Sequence, residues 1–408
     1  MNPPSTQQIA AYLSTYYDIE AEITLLAGEV DYNYYLEVSR KEKYLLKISR
    51  TNTPLQSIDF QTKILLHLEK QTLPFSIPSV VKTKEGKEWT VIAQGQYLRL
   101  QTWVEGNMLN DWKRRSPKLF KNWGIAVAQL NLALKNFDHP EAHRFYKWNP
   151  SETLNAEQYS PYFTSEHQQK IAHHFWRLFE SQAQPQLKEL RRGLNYNDAH
   201  ELNLLTNDDQ QISGIIDFGD ALHTETINEL AIACAYACMG MSDPIQAAMH
   251  VIEGFHSVLP LIEEEVKVLF PMIAARLMIT VANAAWNKHQ EPENEYLLVS
   301  EKPAWDLIEK LYPIAPNYAH YCFRAACGWE ANPNLSVFQN WLSNSANTIH
   351  SVIDLKGKSI AYLDLSVKSL DLGNNSNFDT ISAFNKTIAR LLLEKAVAIG
   401  VGGYRSET

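Results

Sequence analysis

The sequence is poor in cysteine and contains only four among its 408 residues. Cys234 and Cys238 lie about one helical turn apart, and Cys322 and Cys327 are close in sequence, so a four-thiolate zinc site is one interpretation. Cysteines within apolar helical sequence are more often buried small hydrophobic residues. We therefore expect neither zinc nor disulfide bonds.

Basic charge and long apolar runs are also scarce, which excludes further classes of protein. The 46 acidic residues outnumber the 37 basic ones. A nucleic-acid partner is therefore not expected, because it would need a basic face. The N-terminus lacks the basic and apolar blocks of a signal peptide, and no run reaches the roughly 18 apolar residues of a membrane span. We expect a cytoplasmic protein without membrane contact.

What the sequence does contain is a spaced set of two acids and one amide within residues 195–221. Asp198 is followed five positions on by Asn203, and Asp217 comes at the end of a β-branched run. Two apolar runs flank the polar turn 206–211, which predicts a β-hairpin. Because hairpin strands lie side by side, Asn203 and Asp217 should meet at its open end, with Asp198 in the preceding loop.

This set of groups suits phosphoryl transfer. In kinases an Asp accepts or orients the substrate hydroxyl, while an Asn and a second Asp hold magnesium on the nucleotide phosphates. Mg²⁺ prefers hard oxygen ligands and retains water, so one amide oxygen, one carboxylate and phosphate oxygens suffice. We assign Asp198 as the catalytic residue and Asn203 with Asp217 as the metal ligands. Asp and Asn are also common turn residues, so spacing, order and hairpin carry the interpretation together.

The motif resembles that of the aminoglycoside phosphotransferase and choline kinase superfamily, whose signature is His-Gly-Asp-x-x-x-x-Asn followed by Ile-Asp-x-x-x-Ala. Ile216, Asp217 and Ala221 match the second part. Three segments resemble, more narrowly, hydroxylysine kinase-like proteins: residues 212–221, 228–236 and 294–305. The resemblance implies a kinase that uses Mg²⁺ and ATP or GTP.

Two departures from the pattern leave alternatives open. Tyr196 and Asn197 stand where the superfamily has a loop-bracing His and a flexible Gly, and Gln61 stands where related kinases place a Glu that pairs with the phosphate-binding lysine. The primary hypothesis is a kinase of a small amino alcohol or a hydroxylysine-like hydroxy amino acid. The alternatives are an aminoglycoside kinase of the same fold and a catalytically silent binding domain.

The N-terminal region predicts a nucleotide-binding lobe built on three antiparallel strands, residues 21–26, 33–38 and 43–48. Lys47 stands alone in the third strand, where a kinase lysine contacts nucleotide phosphates; a lysine on an exposed strand face is the alternative. Gly28 lies in the loop that would cover the nucleotide. The base is expected to bond the main chain of Gln101, Thr102 and Trp103.

The remaining chain predicts helices, so the fold class is α+β and two-lobed like a protein kinase. Apolar spacing predicts a helix at 57–71 that packs on the sheet, and further helices at 122–135, 168–184, 225–239, 245–257 and 263–288. The predicted lobes are residues 1–104, with the antiparallel sheet, and residues 105–334, mostly helical with the catalytic loop.

Substrate recognition is expected from the helical lobe. Asp220, just past Asp217, is the best candidate for a substrate ammonium group, and Glu225 is a weaker one. Arg276 interrupts an apolar helix face, so it is a candidate for a substrate carboxylate; an internal salt bridge is the alternative. His200 lies within the catalytic loop and is a candidate for contact with phosphate or substrate.

Residues 335–408 predict a small C-terminal α/β extension, with helices at 340–349 and 381–398 and a strand at 359–367. The segment resembles the connector in longer bacterial polypeptides where such a kinase precedes metallopeptidase-like and class III aminotransferase-like domains. The resemblance implies that the kinase is the N-terminal part of such a fusion.

Overall fold

The computed structural model describes residues 3–28, 30–112, 115–290 and 300–333. Its strands are β1 (Glu22–Leu26), β2 (Asp31–Ser39), β3 (Glu42–Ser49), β4 (Val80–Val81), β5 (Thr90–Val91), β6 (Tyr97–Thr102), β7 (Asn107–Met108), β8 (Arg192–Asn195), β9 (Leu204–Thr206), β10 (Ile212–Ile215) and β11 (Leu222–Glu225). Its α-helices are α1 (Thr6–Tyr16), α2 (Leu55–Leu68), α3 (Pro117–Leu134), α4 (Glu166–Leu178), α5 (Ile227–Cys238), α6 (Pro244–Val258), α7 (Glu263–Gln290), α8 (Glu301–Leu311) and α9 (Pro316–Ala326).

The N-terminal part is an antiparallel sheet in the order β1-β2-β3-β6-β4, with β5 also paired to β6. One face packs on α1 through Ile9 and Leu13, which join an apolar cluster with strand residues such as Leu36 and Leu46. The α1 helix begins with a capping box, in which the Ser5 hydroxyl accepts from the Gln8 amide. The three predicted strands are therefore confirmed.

Helix α2 contacts the sheet as predicted, at β4 and through the hydrogen bond between Gln61 and Arg99 of β6. Its apolar residues Phe60, Ile64, Leu65 and Leu68 belong to the large core of the helical region and not to the cluster beneath the sheet. The helix also contacts α3, where His67 Nε2 lies 2.9 Å from the carbonyl oxygen of Ala133. The apolar spacing predicts the helix correctly, but it does not indicate which of the two apolar cores the helix packs against.

The rest of the described chain is mostly helical, so the predicted α+β, kinase-like fold class is confirmed. Helix α7 is long and apolar enough to span a membrane, but all of its apolar window is buried inside the fold. It is thus a core helix. Helix α4 ends at Leu178, six residues before the predicted end, and a π-turn and a 3-10 turn follow it; Pro185 there removes a backbone donor and cannot continue an α-helix.

Two small β-structures lie in the helical part. β9 and β10 form the predicted hairpin, which β7 extends, and β8 pairs with β11. The four cysteines are free thiols, with Cys234 and Cys238 buried in α5. The elements predicted for residues 335–408 lie outside the described residues, and the division of the chain at residue 104 stays a prediction.

Candidate active site

The β9–β10 hairpin holds Asn203 and Asp217 at its open end. The amide of Ile216 donates to the carbonyl oxygen of Asn203 at 3.0 Å, directly before Asp217 and next to the pair Leu204 and Ile215. The loop that precedes β9 carries Asp198. The three residues predicted from sequence spacing are thus assembled by one hairpin and one loop.

Asp198 is the most heavily contacted residue of this group. Asn203 Nδ2 donates to Asp198 Oδ2 at 2.7 Å, and His200 Nε2 and Arg276 Nη2 lie 3.4 and 3.6 Å from the carboxylate. Burial would raise the pKa of Asp198, but His200, Arg276 and the Asn203 hydrogen bond outweigh burial and hold it below its usual value. Asp198 is therefore ionised at neutral pH.

Asn203 and His200 complete the cluster. The amide nitrogen of Asn203 points at Asp198 and also lies 3.1 Å from His200 Nε2, so its amide oxygen remains as the group for a metal. Burial favours a neutral His200, yet the Asp198 carboxylate outweighs burial and raises the pKa of His200. The His200 ring lies 5.3 Å from that of Tyr236.

Neighbouring helices fix the loop that carries Asp198. On α5, Glu229 Oε2 accepts from the amide of Asn197 at 2.8 Å, and on α3 the indole of Trp123 donates to the carbonyl oxygen of Ala199 at 3.2 Å. Burial and the charge of Asp198 raise the pKa of Glu229 to about 7. Sequence analysis missed both anchors, because each one links residues that lie far apart in the chain.

The departures at Tyr196 and Asn197 do not remove the brace of the loop. The hydroxyl of Tyr196 donates to the carbonyl oxygen of Ile216, and its ring packs edge-on against Phe218 at 5.1 Å between centroids. Asn197 has φ of 66°, a left-handed conformation that Gly adopts freely and that Asn tolerates better than most residues. The loop is therefore held by the Tyr196 hydroxyl, and its left-handed position is occupied by Asn197.

Lys47 of β3 extends from the sheet to the loop that starts at Asp217. Its Nζ lies 3.6 Å from Asp217 Oδ1 and 3.7 Å from Asp31 Oδ2, and its side chain is only 8% exposed. The expected Glu partner is indeed absent from α2, since Gln61 instead accepts from Arg99 at 2.7 Å. The carboxylate beside Lys47 comes from β2.

The loop that starts at Asp217 is held by an arginine that the sequence did not single out. Asp217 has φ of 58°, and its carboxylate, half exposed, accepts from the Gly219 amide at 3.2 Å. Arg144 donates to the carbonyl oxygens of Gly219 and Ala221 at 3.2 and 3.1 Å. One guanidinium therefore fixes the main chain on both sides of Asp220.

Asp220 lies close to the other acids of the site. Burial, then the charge of Asp198, raises the pKa of Asp220 to about 7, although its interaction with Tyr146 opposes the shift. Burial, then the charge of Asp220, raises the pKa of the Tyr146 hydroxyl. A site that makes one of its carboxyl groups hard to ionise is suited to a cation, which would relieve the repulsion.

The two remaining substrate candidates are engaged with the protein. The side chain of Arg276 is only 3% exposed and lies beside Asp198. Its guanidinium donates to the carbonyl oxygen of Trp148 at 2.8 Å and to the Tyr236 hydroxyl at 3.2 Å. This matches the internal salt bridge named as its alternative. Glu225 is buried and bonds Arg192 and Ser151, so it belongs to a separate polar cluster at β11.

The candidate nucleotide contacts are part of the sheet framework. A side chain on Gly28 would approach Asn33 Nδ2 within 2.5 Å, so Gly28 allows the loop to lie close to β2. The amides of Thr102 and Trp103 donate to Ser79 and Lys43 at 2.9 and 3.1 Å, and Gln101 is paired within the sheet. A base would have to use carbonyl groups here or the main chain that follows.

An antiparallel sheet that presents a lysine to an Asp, Asn, Asp cluster on a helical region defines a kinase-like phosphotransferase. The Phosphotransferase enzyme family, APH, matches residues 22–257. That match covers more than half of the chain, so the chain belongs to this family of small-molecule kinases.

Known proteins agree in sequence and in fold. Hydroxylysine kinase of Mus musculus is 27% identical over 322 residues, which cover 72% of this chain and 85% of the relative. A solved amicoumacin kinase in complex with AMP-PNP and Ca²⁺ has a TM-score of 0.58 at 17% identity, covering 75% and 94% of the two chains. A microcompartment-associated aminopropanol kinase has a TM-score of 0.54 at 16% identity, covering 75% and 97%.

Proposed function

We propose that this kinase transfers the γ-phosphate of ATP or GTP to the hydroxyl of a small amino alcohol or hydroxy amino acid of the hydroxylysine type. The observation that carries the proposal is the cluster in which Asp198, oriented by Asn203 at 2.7 Å, lies with Asp217 and Lys47 at one site. The likeness to hydroxylysine kinase over 72% of the chain supports the acceptor class.

The residues fit a magnesium nucleotide. The amide oxygen of Asn203 and the half-exposed carboxylate of Asp217 are hard oxygen ligands of the kind Mg²⁺ takes together with phosphates and water. The bound ion neutralises phosphate charge. Lys47, from the sheet side, would contact the phosphates, and the loop at Gly28 would lie over them.

In the proposed reaction Asp198 accepts a hydrogen bond from the acceptor hydroxyl and aims its oxygen at the γ-phosphorus. The new oxygen–phosphorus bond forms as the bond between the γ-phosphorus and the β–γ bridging oxygen breaks, and the hydroxyl proton passes to Asp198. Because the pKa of Asp198 is held low by His200 and Arg276, Asp198 is ionised and can both orient the hydroxyl and accept its proton. In a loose transition state for phosphoryl transfer, positioning and charge stabilisation account for nearly all of the catalysis.

The acceptor would be recognised by charge. Asp220, crowded by Asp198, is the proposed partner of the substrate ammonium group. His200, 3.4 Å from the Asp198 carboxylate, is the proposed contact for phosphate or acceptor. Arg276 is committed to Trp148, Tyr236 and Asp198, so we assign it to holding Asp198, and a substrate carboxylate would reach only the rim of its guanidinium.

The test is nucleotide turnover with ATP and with GTP, with and without Mg²⁺, across a panel of hydroxylysine, ethanolamine, other amino alcohols and aminoglycosides. We expect Mg²⁺-dependent transfer to one small hydroxylated amine. Asp198→Asn should lower kcat by about 10² to 10⁴ fold, the contribution of a positioned general base. Asp208→Asn, an acid exposed in the hairpin turn, is the matched control and should leave kcat unchanged.

Three outcomes would contradict the proposal. Turnover confined to aminoglycosides would replace the acceptor class, full activity of Asp198→Asn would remove the assigned base, and absence of nucleotide binding would indicate a silent domain.

The cytoplasm is the expected compartment. Association with peptidase-like and aminotransferase-like domains stays a prediction from the resemblance of residues 335–408.

A further inference from the structure

Two cations face each other across the central strands of the sheet. Lys47 of β3 and Arg99 of β6 are direct cross-strand partners, and both are buried, at 7% and 2% exposure. Like charges placed opposite each other in a sheet repel, and burial strengthens the repulsion because less water screens it. A shared counter-ion is required.

Asp31 is that counter-ion. Its Oδ2 lies 2.5 Å from Arg99 Nη2 and 3.7 Å from Lys47 Nζ, and the residue is 6% exposed. Asp31 is at the start of β2, two residues before Asn33, which pairs with Lys47 in the sheet. The carboxylate is thus attached to the same rigid sheet as both cations.

We propose that Asp31 is the positioning residue for Lys47, and that Arg99 and Gln61 hold Asp31 in place. This inference rests on the proposed role of Lys47 at the nucleotide phosphates. In related kinases a Glu from the helix is expected to hold this lysine, whereas here α2 supplies the neutral Gln61, which accepts from Arg99 at 2.7 Å. Helix α2 therefore supplies no carboxylate to Lys47, whose two acidic neighbours are Asp31 of the sheet and Asp217 of the following loop.

Charge balance explains why the helix residue is an amide. Lys47 and Arg99 are matched by Asp31 and Asp217, so a further carboxylate at position 61 would leave the cluster negative beside a triphosphate. If Asp217 bound a metal ion instead of Lys47, Asp31 would still hold Lys47, and a phosphate group could pair with the ammonium group in place of Asp217. Gln61 also lies near the loop that follows Asp217, since a β-carbon added to Gly219 would lie 3.8 Å from Gln61 Nε2.

The test is a cycle of Asp31→Asn, Gln61→Glu and the double variant, with binding of the magnesium complexes of AMP-PNP and GMP-PNP measured by calorimetry. Asp31→Asn should weaken binding by about tenfold or more, because a buried charge loses its partner. Gln61→Glu alone should also weaken binding. In the Asp31→Asn background the same Glu should strengthen it, because the acid then restores the counter-ion of Arg99.

The controls separate positioning from folding. Asp18→Asn, at an exposed acid outside the site, should bind the analogues like wild type. For Asp31→Asn, kinetics should show a raised KM for nucleotide and an unchanged KM for acceptor. If Asp31→Asn does not fold, Asp31→Glu and Gln61→Glu carry the test through the same KM split.

The outcomes are distinguishable. The role of Asp31 would be overturned if Asp31→Asn bound the nucleotide analogues as tightly as wild type. It would also be overturned if the loss of binding in the double variant were only the sum of the losses in the two single variants. Failure of wild type to bind either analogue would instead overturn the proposed function, and the role of Asp31 with it.

Discussion

Replacing Tyr196 by Phe tests whether this residue braces the loop of Asp198. The change keeps the ring against Phe218 and removes only the hydroxyl that donates to the carbonyl oxygen of Ile216. A typical hydrogen bond contributes a net ~1 kcal/mol, and a partner left buried without a donor costs about 1 to 3 kcal/mol. The aromatic contact, worth about 0.5 to 1.5 kcal/mol beyond buried area, is retained.

The expected effect follows from where the lost bond is. The Ile216 carbonyl directly precedes Asp217, and Tyr196 is two residues before Asp198, so the bond ties the two acidic positions together. Since about 1.4 kcal/mol corresponds to a tenfold change in rate, a loss of ~1 kcal/mol felt fully in the transition state lowers kcat about fivefold. Tyr196→Ala, which also empties the ring site, should cost about 3 to 5 kcal/mol of stability.

The assay combines steady-state kinetics with thermal unfolding, and Tyr12→Phe on α1 serves as the matched control. Unchanged kcat and Tm in Tyr196→Phe would refute the brace. A fall in kcat of about a thousandfold without loss of stability would also refute the reasoning, because one positioning bond cannot supply the ~4 kcal/mol that such a change represents.

Three further predictions concern the neighbouring residues. Arg144→Lys keeps the positive charge but loses the planar guanidinium that donates to the carbonyl oxygens of Gly219 and Ala221. The Mg²⁺ concentration for half-maximal activity should therefore rise roughly threefold or more. An unchanged Mg²⁺ titration would contradict this prediction. The pKa of Asp220 is raised to about 7, so below that pH the acid is neutral and kcat/KM for an amine acceptor should rise with pH, a rise that Asp220→Asn should abolish. Asn197→Gly should change the free energy of unfolding by less than ~1 kcal/mol, because Gly suits φ of 66° and removes two buried amide atoms that have no hydrogen-bond partner. Asn197→Ala should cost about 1 to 2 kcal/mol, because Ala is strained in the left-handed backbone conformation. Equal unfolding midpoints for the two variants would exclude this account.

Sequence patterns were sufficient for the elements and for the local part of the site. The hairpin, its polar turn and the order Asp198, Asn203, Asp217 are encoded within about twenty consecutive residues, where the geometry of a two-stranded turn leaves little freedom. The three N-terminal strands are equally local. The order of these strands singled out Lys47, because the third strand of a kinase lobe carries the lysine that contacts nucleotide phosphates.

The partner of Lys47 could not be found in the same way. Asp31 and Arg99 are separated by 68 positions, and their meeting depends on the register of three strands, which a one-residue slip would reverse. One signal was present, because Arg99 stands alone in the apolar strand Tyr97–Thr102 and a charge buried there requires a counter-ion. The signal predicts that a partner exists but not which residue it is.

Departures from a family motif are informative only when the physical requirement behind each motif position is known. Here the Tyr196 hydroxyl donates to the Ile216 carbonyl oxygen, Asn197 has a positive φ, and the Asp31 carboxylate of a strand lies beside Lys47. These three residues thus supply a hydrogen-bond donor to the loop, a left-handed backbone position and a negative charge beside Lys47. The mismatches at Tyr196, Asn197 and Gln61 therefore give no support to a silent domain, and it is the variants that remove the donor, the conformation or the charge itself that should weaken the enzyme.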